Sequence, residues 1–332
     1  MEFFMTINRT IAVISLILTG IISLHAQPAA VQQLENTRQT GQQQTLLPAL
    51  TAGTNAPELY PGENVDVGPQ RILRLNPRPD YFEVLLDSQV FYTDNANFAD
   101  SLAKIHSVIF VNTLQALFAP PAIALGPGKF TPTLGAVSQW YNYENNAMSP
   151  LDFEAQTFFF NGKYTLGKWQ FGGGVNYTRL VNQSDYDQSY SELMPTLGVQ
   201  RVFSINENLL LSIGDQVDYH FSQVPSLFGS RSDINDRLDD AVTLTLSWQV
   251  THHLILQPYY RFQYSDYQEN TALTSNRNDY LQTVGITLAY YFNKNASLRA
   301  FFNYNRKQSD DPYTPAYHEY DGGLGASLDF KF

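Results

Sequence analysis

The chain contains no cysteine, which removes disulfide frameworks, thiolate-held zinc and cysteine nucleophiles together. Charge is scarce too: Asp, Glu, Lys and Arg make up 15% of the 332 residues. Long apolar runs are missing with one exception near the N-terminus, and the mean hydropathy is −0.26. A multi-span helical membrane protein is therefore excluded. The charge present leans acidic, 31 Asp+Glu against 20 Lys+Arg, net −11. That is the wrong sign for gripping phosphate backbones, so nucleic acid is not an expected partner. Aromatics, by contrast, are abundant: 22 Phe, 21 Tyr and 3 Trp, or 14%. Such a composition excludes disorder over most of the length. Two descriptions remain, a soluble β protein or a barrel that lives in a membrane.

The exceptional apolar run is Ile11 to Leu24, preceded by Arg9. It is shorter than the roughly 20 residues a spanning helix needs. It reads instead as the core of a signal peptide over residues 1–26, cleaved after Ala26, with Leu24 where a small residue is more usual. No Cys follows it, so a bacterial lipid anchor is not expected. Removing residues 1–26 takes away Arg9 and Glu2 and leaves the net charge unchanged. From Gln27 to about Pro79 the chain is dense in Gln and punctuated by Pro and Gly (QQLENTRQTGQQQ, APELYPGENVDVGPQ). Residues 27–79 are therefore expected to form a flexible periplasmic arm. Within it, Ile72-Leu73-Arg74-Leu75 is a candidate for plugging the barrel or docking on a periplasmic partner.

From Tyr81 onward the period is two. Val242, Leu244, Leu246, Trp248 and Val250 alternate with Thr243, Thr245, Ser247 and Gln249. Leu324, Ala326, Leu328, Phe330 and Phe332 alternate in the same way with Gly323, Gly325, Ser327, Asp329 and Lys331. Alternation of this kind predicts strands with one apolar and one wet face. The segments run roughly 11 to 15 residues, longer than the five or six typical of soluble sheets and long enough to cross a bilayer. Short connections (TLGK, INEN, THH, NKN) alternate with long polar ones, so one rim carries tight turns and the other long loops. The count is about twelve strands, with ten to fourteen compatible. Ile105–Phe118 alternates poorly, and Phe153–Tyr164 carries aromatics on both faces.

The C-terminal run Tyr320–Phe332 (YDGGLGASLDFKF) has apolar residues at alternate positions and ends on an aromatic. It resembles the terminal strand signal of Gram-negative outer-membrane β-barrel proteins, which their assembly machinery recognises. The resemblance covers residues 81–332 and identifies an architecture rather than a subfamily. It implies an all-β fold, an antiparallel transmembrane up-and-down barrel over 80–332, in the outer membrane. Phe330 and Phe332 would form the assembly signal. Outer-membrane lipid, lipopolysaccharide and the barrel assembly machinery are the expected partners; oligomeric state is left open.

Function is expected to follow from the wet face. Glu83, Asp87, Asp218, Arg261, Arg299 and Asp329 are the candidate pore-lining residues, with Glu192 and Lys331 on the same face. The leading reading is a porin-like passive channel for small hydrophilic solutes or ions, not an enzyme. The alternatives are a non-conducting structural or binding barrel that acts through acidic outer loops, and an omptin-like protease. The last would set Asp185 and Asp187 against Asp218 and His220. A barrel phospholipase lacks a plausible Ser–His pair, and no G-x-S-x-G exists. No cofactor or metal is expected: His252 and His253 fall in an inner turn and point apart, and Ser232–Asp240 lacks the calcium-hand pattern. Trp140-Tyr141, Tyr259-Tyr260, Tyr290-Tyr291-Phe292 and Phe301-Phe302 are expected to sit in interfacial girdles, Tyr259 alternatively stacking on carbohydrate. Asp215 falls on the apolar face, which requires either a bulge or an unseen partner. Gly172-Gly173-Gly174 is read as relieving crowding within a strand.

Overall fold

The computed structural model describes residues 29–38, 81–100, 102–225, 232–268, 277–312 and 314–332. The signal peptide and the Ile72–Leu75 segment lie outside them.

Twelve long strands and one short one form a single antiparallel sheet. They are β1 (Phe82–Thr93), β2 (Ser107–Phe118), β3 (Ile123–Leu125), β4 (Gly128–Tyr143), β5 (Phe153–Leu166), β6 (Trp169–Asn182) and β7 (Gln188–Asn206). They continue with β8 (Leu209–Gln223), β9 (Arg237–Gln249), β10 (Leu254–Tyr267), β11 (Asn278–Tyr291), β12 (Ala296–Ser309) and β13 (Tyr317–Lys331). Each long strand pairs with the long strand that follows it, and the pairing of the first strand with the last closes the ring. β1 pairs with β13, setting Asp87 opposite Ser327 and Phe91 opposite Gly323. β2 skips β3 and pairs with β4, while β3 only lengthens the foot of β4. The result is a closed twelve-strand barrel, which leaves no open edge. The sequence anticipates all twelve long strands; only three-residue β3 gives no separable signal.

The two rims differ as the loop lengths predict. Residues 167–168, 207–208, 250–253 and 292–295 turn tightly at the rim carrying both barrel ends, and the long loops share the other. Along each strand one set of side chains faces outward. Val242, Leu244 and Trp248 on β9, and Val284, Ile286 and Leu288 on β11, are exposed. Their neighbours Thr245, Ser247, Thr283 and Thr287 are buried on the inner face. Apolar outside with polar inside is the pattern of a barrel whose surroundings are lipid.

The aromatic runs split between the faces, because adjacent residues of a strand point apart. Tyr141, Tyr259 and Phe301 are buried inside, whereas Tyr260, Tyr290, Phe292 and Phe302 are exposed. Tyr259 donates to Asn303 Oδ1 at 2.8 Å and does not line the lumen cavity. Four of these seven rings are placed to meet lipid. Gly174 carries the crowding argument for its triplet: a Cβ there would collide with the Asn161 side chain and lie 2.6 Å from the Phe160 carbonyl oxygen.

Residues 29–38 form a helix, α1. This helix lies within the segment expected to be a flexible arm and is enclosed by the barrel; residues 39–79 of that segment lie outside the described residues.

Candidate functional site

Lumen size explains what the barrel can hold. Twelve strands spaced by about 4.8 Å and tilted by about 40° close into a ring about 24 Å across. Wall side chains take about 5 Å on each side, half the face-to-face spacing of packed sheets. About 14 Å remains, slightly more than the 10–12 Å diameter of an α-helix.

That space is occupied by α1. Its Ala30 and Leu34, one turn apart, join an apolar cluster of Phe91 (β1), Ile109 and Val111 (β2), Tyr141 and Tyr143 (β4), Phe153 and Ala155 (β5) and Leu180 (β6). Its polar residues reach the opposite wall. Arg38 Nη1 pairs with Glu192 Oε1 (β7) at 2.8 Å, and Glu35 pairs with Arg237 (β9). Asn36 Nδ2 donates to Glu319 Oε2 (β13) at 3.0 Å. Partners on so many strands around the ring put α1 inside it. All lie near the long-loop ends of their strands, so α1 closes the outer half of the lumen. Burial disfavours the Arg38 cation, but the Glu192 carboxylate outweighs that effect and Glu35 adds to it, raising the Arg38 pKa above its ordinary value.

A buried ionic network surrounds the helix. His220 places Nδ1 2.9 Å from Glu192 Oε2 and Nε2 3.0 Å from Asp239 Oδ2. Arg237 bonds Asp239 through Nε at 3.1 Å as well as Glu35. On the far side Glu319 accepts from Thr93 Oγ1 at 2.9 Å and Asn305 Nδ2 at 3.2 Å. Glu35, His220 and Asp239 bring three potential metal-ligand atoms within 4.8 Å of one another. The Arg237 guanidinium already supplies the positive charge between Glu35 and Asp239, so this is an ion-pair cluster rather than a cation site. His220 has both nitrogens engaged inside the lumen, whereas Asp185 and Asp187 stand exposed on the loop after β6.

Below α1 the lumen is a cavity of about 470 Å³. Its wall is mainly neutral and polar: Thr131, Thr133, Asn161, Asn176, Thr196, Gln200, Ser212, Gln216 and Thr243. It extends from Arg261 in mid-lumen to Lys163 and Gln170, close to the turn at 167–168.

All six predicted lining residues alternate onto the inner face, but the structure does not bring them into one site. Asp87 is bound to Arg299, whose Nη2 lies 2.7 Å from Asp87 Oδ1 and 3.0 Å from Gln89 Oε1. Gly325 makes that possible, since a Cβ there would sit 2.6 Å from Arg299 Cζ. Glu83 and Asp329 flank Lys331 at 3.2 and 3.4 Å, in an exposed rim cluster of small energetic weight. Asp218 accepts from the Gln216 amide on both oxygens, at 3.0 and 2.8 Å. Only Arg261 lines the cavity. Asp215 points outward as expected, with no bulge in its part of β8; its partner is a second outward carboxyl, Asp240 on β9.

Sequence reasoning missed α1, Glu35, Arg38, Arg237, Asp239 and Glu319. One signal was present: Ile109, Val111, Phe153 and Ala155 are apolar residues on strand faces that should be wet.

No family model and no curated protein matches the chain. Among solved structures, an outer-membrane channel from Pseudomonas putida F1 is similar over 80% of this chain and 100% of its own, with 13% identity and a TM-score of 0.52. The β domain of the Bordetella autotransporter BrkA covers 76% and 100%, at 12% identity and TM-score 0.43. The channel DcaP of Acinetobacter baumannii covers 75% and 96%, at 13% and 0.40. Only the first has weight, and what it shows is the fold. The chain has the fold of an outer-membrane β-barrel, and its outward apolar band fits that membrane.

Proposed function

We propose that the protein is an outer-membrane channel for small hydrophilic solutes, closed by its own N-terminal helix. The observation that carries this reading is the contrast between the two halves of the lumen. The wall supplies an open, polar cavity in the inner half. The outer half is obstructed by a segment belonging to no strand and held, among the described residues, by side-chain contacts such as Arg38–Glu192 and Asn36–Glu319. Twelve strands lie between the filled eight-strand barrels and the open sixteen-strand porins, so one helix decides whether such a lumen conducts. The non-conducting alternative draws support from the pairing of both charged α1 residues, Glu35 and Arg38, with the wall, as in a permanent core. It would assign the work to the outer loops, with lipopolysaccharide as partner.

Proteoliposomes separate the two. Liposomes carrying the barrel without residues 27–38 should swell in isotonic arabinose faster than those carrying the chain from Gln27 onward. Failure of both to swell favours the structural barrel.

A further inference from the structure

The lumen beneath α1 holds a cation with no direct ion-pair partner among the described residues. Arg261 is only 6% exposed and lines the cavity. Its guanidinium donates to Gln263 Oε1 at 3.1 Å, while its Nε is buried with no acceptor. It makes no ion pair among the described residues, whereas each other buried lumen guanidinium has one: Arg38 with Glu192, Arg237 with Asp239, Arg299 with Asp87. The nearby carboxylates are engaged elsewhere. Asp239 and Glu35 bind Arg237, and Asp218, within electrostatic reach of Arg261, takes its hydrogen bonds from the Gln216 amide.

The rest of the cavity wall has the same bias. Its other charged residues are Lys163 and Asp215, and the Asp215 side chain belongs to the outward face beside Asp240. Both charges turned into the cavity are therefore positive. Between them stand Asn161, Asn176, Gln200 and Thr196, whose amides and hydroxyls both donate and accept hydrogen bonds. A buried guanidinium with an unused donor and no directly bound carboxylate is poised to take an acceptor anion, and a carboxylate meets its planar donors best. The neighbouring Asp218, Asp239 and Glu35 would repel a multiply charged anion.

We propose that the cavity beneath α1 is a binding site for a small, hydroxyl-rich organic monocarboxylate, held by Arg261, with Lys163 nearer the inner rim. This deepens the channel reading by naming its solute class. It needs only that the cavity be reachable, not that the barrel conduct.

The test is isothermal titration of the protein from Gln27 onward, in detergent micelles, with D-glucuronate and with uncharged D-glucose. Glucuronate should bind at least about tenfold more tightly, the effect of one charge-assisted contact. Arg261→Gln should lose about tenfold for glucuronate and leave glucose unchanged, and Arg261→Lys should recover part of the loss. Equal affinities for the two sugars, no binding of either, or an R261Q variant that binds glucuronate like the parent would overturn the proposal. Should R261Q fail to migrate as a folded barrel, the two-sugar comparison on the parent still decides. Glucuronate binding by a barrel that never conducts, even without α1, would sink the channel reading and leave this site standing.

Discussion

Loosening α1 without touching the barrel wall is the perturbation whose size the structure sets most clearly. Leu34 is 1% exposed in the apolar cluster, and truncating such a leucine to alanine costs about 2–5 kcal/mol. Arg38→Gln removes a cation from Glu192, whose side chain is 2% exposed. Glu192 keeps the Tyr190 hydroxyl and His220, both at 2.9 Å. The cost is then about 2 kcal/mol, below the 3–5 of a fully stranded buried charge. Taking about 3 kcal/mol for Leu34, the double variant weakens seating of α1 by about 5 kcal/mol. A barrel open roughly one part in a thousand would become open most of the time. Planar-bilayer recordings of the parent, each single variant and L34A/R38Q should show open probability rising in that order. The gel-shift temperature of the barrel should change little, because no wall residue is altered. Unchanged open probability in the double variant, or a barrel that melts together with its helix, would refute the reasoning.

The two lumen arginines should behave differently. Arg299→Gln strands Asp87, whose side chain is 11% exposed, and should lower barrel stability by about 3 kcal/mol in thermal melts. Arg261→Gln in a barrel lacking α1 should instead leave the melt unchanged and shift the reversal potential towards cations. A shared stability loss would show that Arg261 also acts as a structural ion. On the lipid side, Asp215→Val fits the neighbouring Val199 and Val242 and should stabilise the barrel by about 1–2 kcal/mol in urea-dependent folding into bilayers. A loss there would mean that the Asp215–Asp240 pair is held for another purpose. Deleting Phe332 removes three backbone hydrogen bonds with Tyr81 and Phe82. Outer-membrane levels should nonetheless fall far more than the refolded barrel's melting temperature; unchanged levels would refute a targeting role.

The strands were legible because each buries one face in lipid, and period-two alternation survives wherever the inner face meets water. It falters where the inner face meets α1. β2 and β5 read poorly because Ile109, Val111, Phe153 and Ala155 are lumen residues packed on a helix. Those irregularities are the footprint of α1, but nothing local says which segment makes it. The helix itself, AAVQQLENTR, is short and Gln-rich with a narrow apolar stripe at Ala30 and Leu34. It gains most of its stability from the wall around it rather than from propensity. The inner-face assignment of Arg261 and Arg299 followed from alternation. Their different fates did not, because Arg299 meets Asp87 through a ring closure between strands at opposite ends of the barrel domain.

The central claim is that α1 is the plug of a conducting barrel. The most direct measurement is a bilayer recording of the barrel lacking residues 27–38, followed by addition of a synthetic peptide with the sequence of residues 27–38. The account predicts discrete conductance steps before addition and their closure afterwards, with a Leu34→Ala peptide closing them less well. A barrel that stays silent without its helix, or currents indifferent to the peptide, would contradict it.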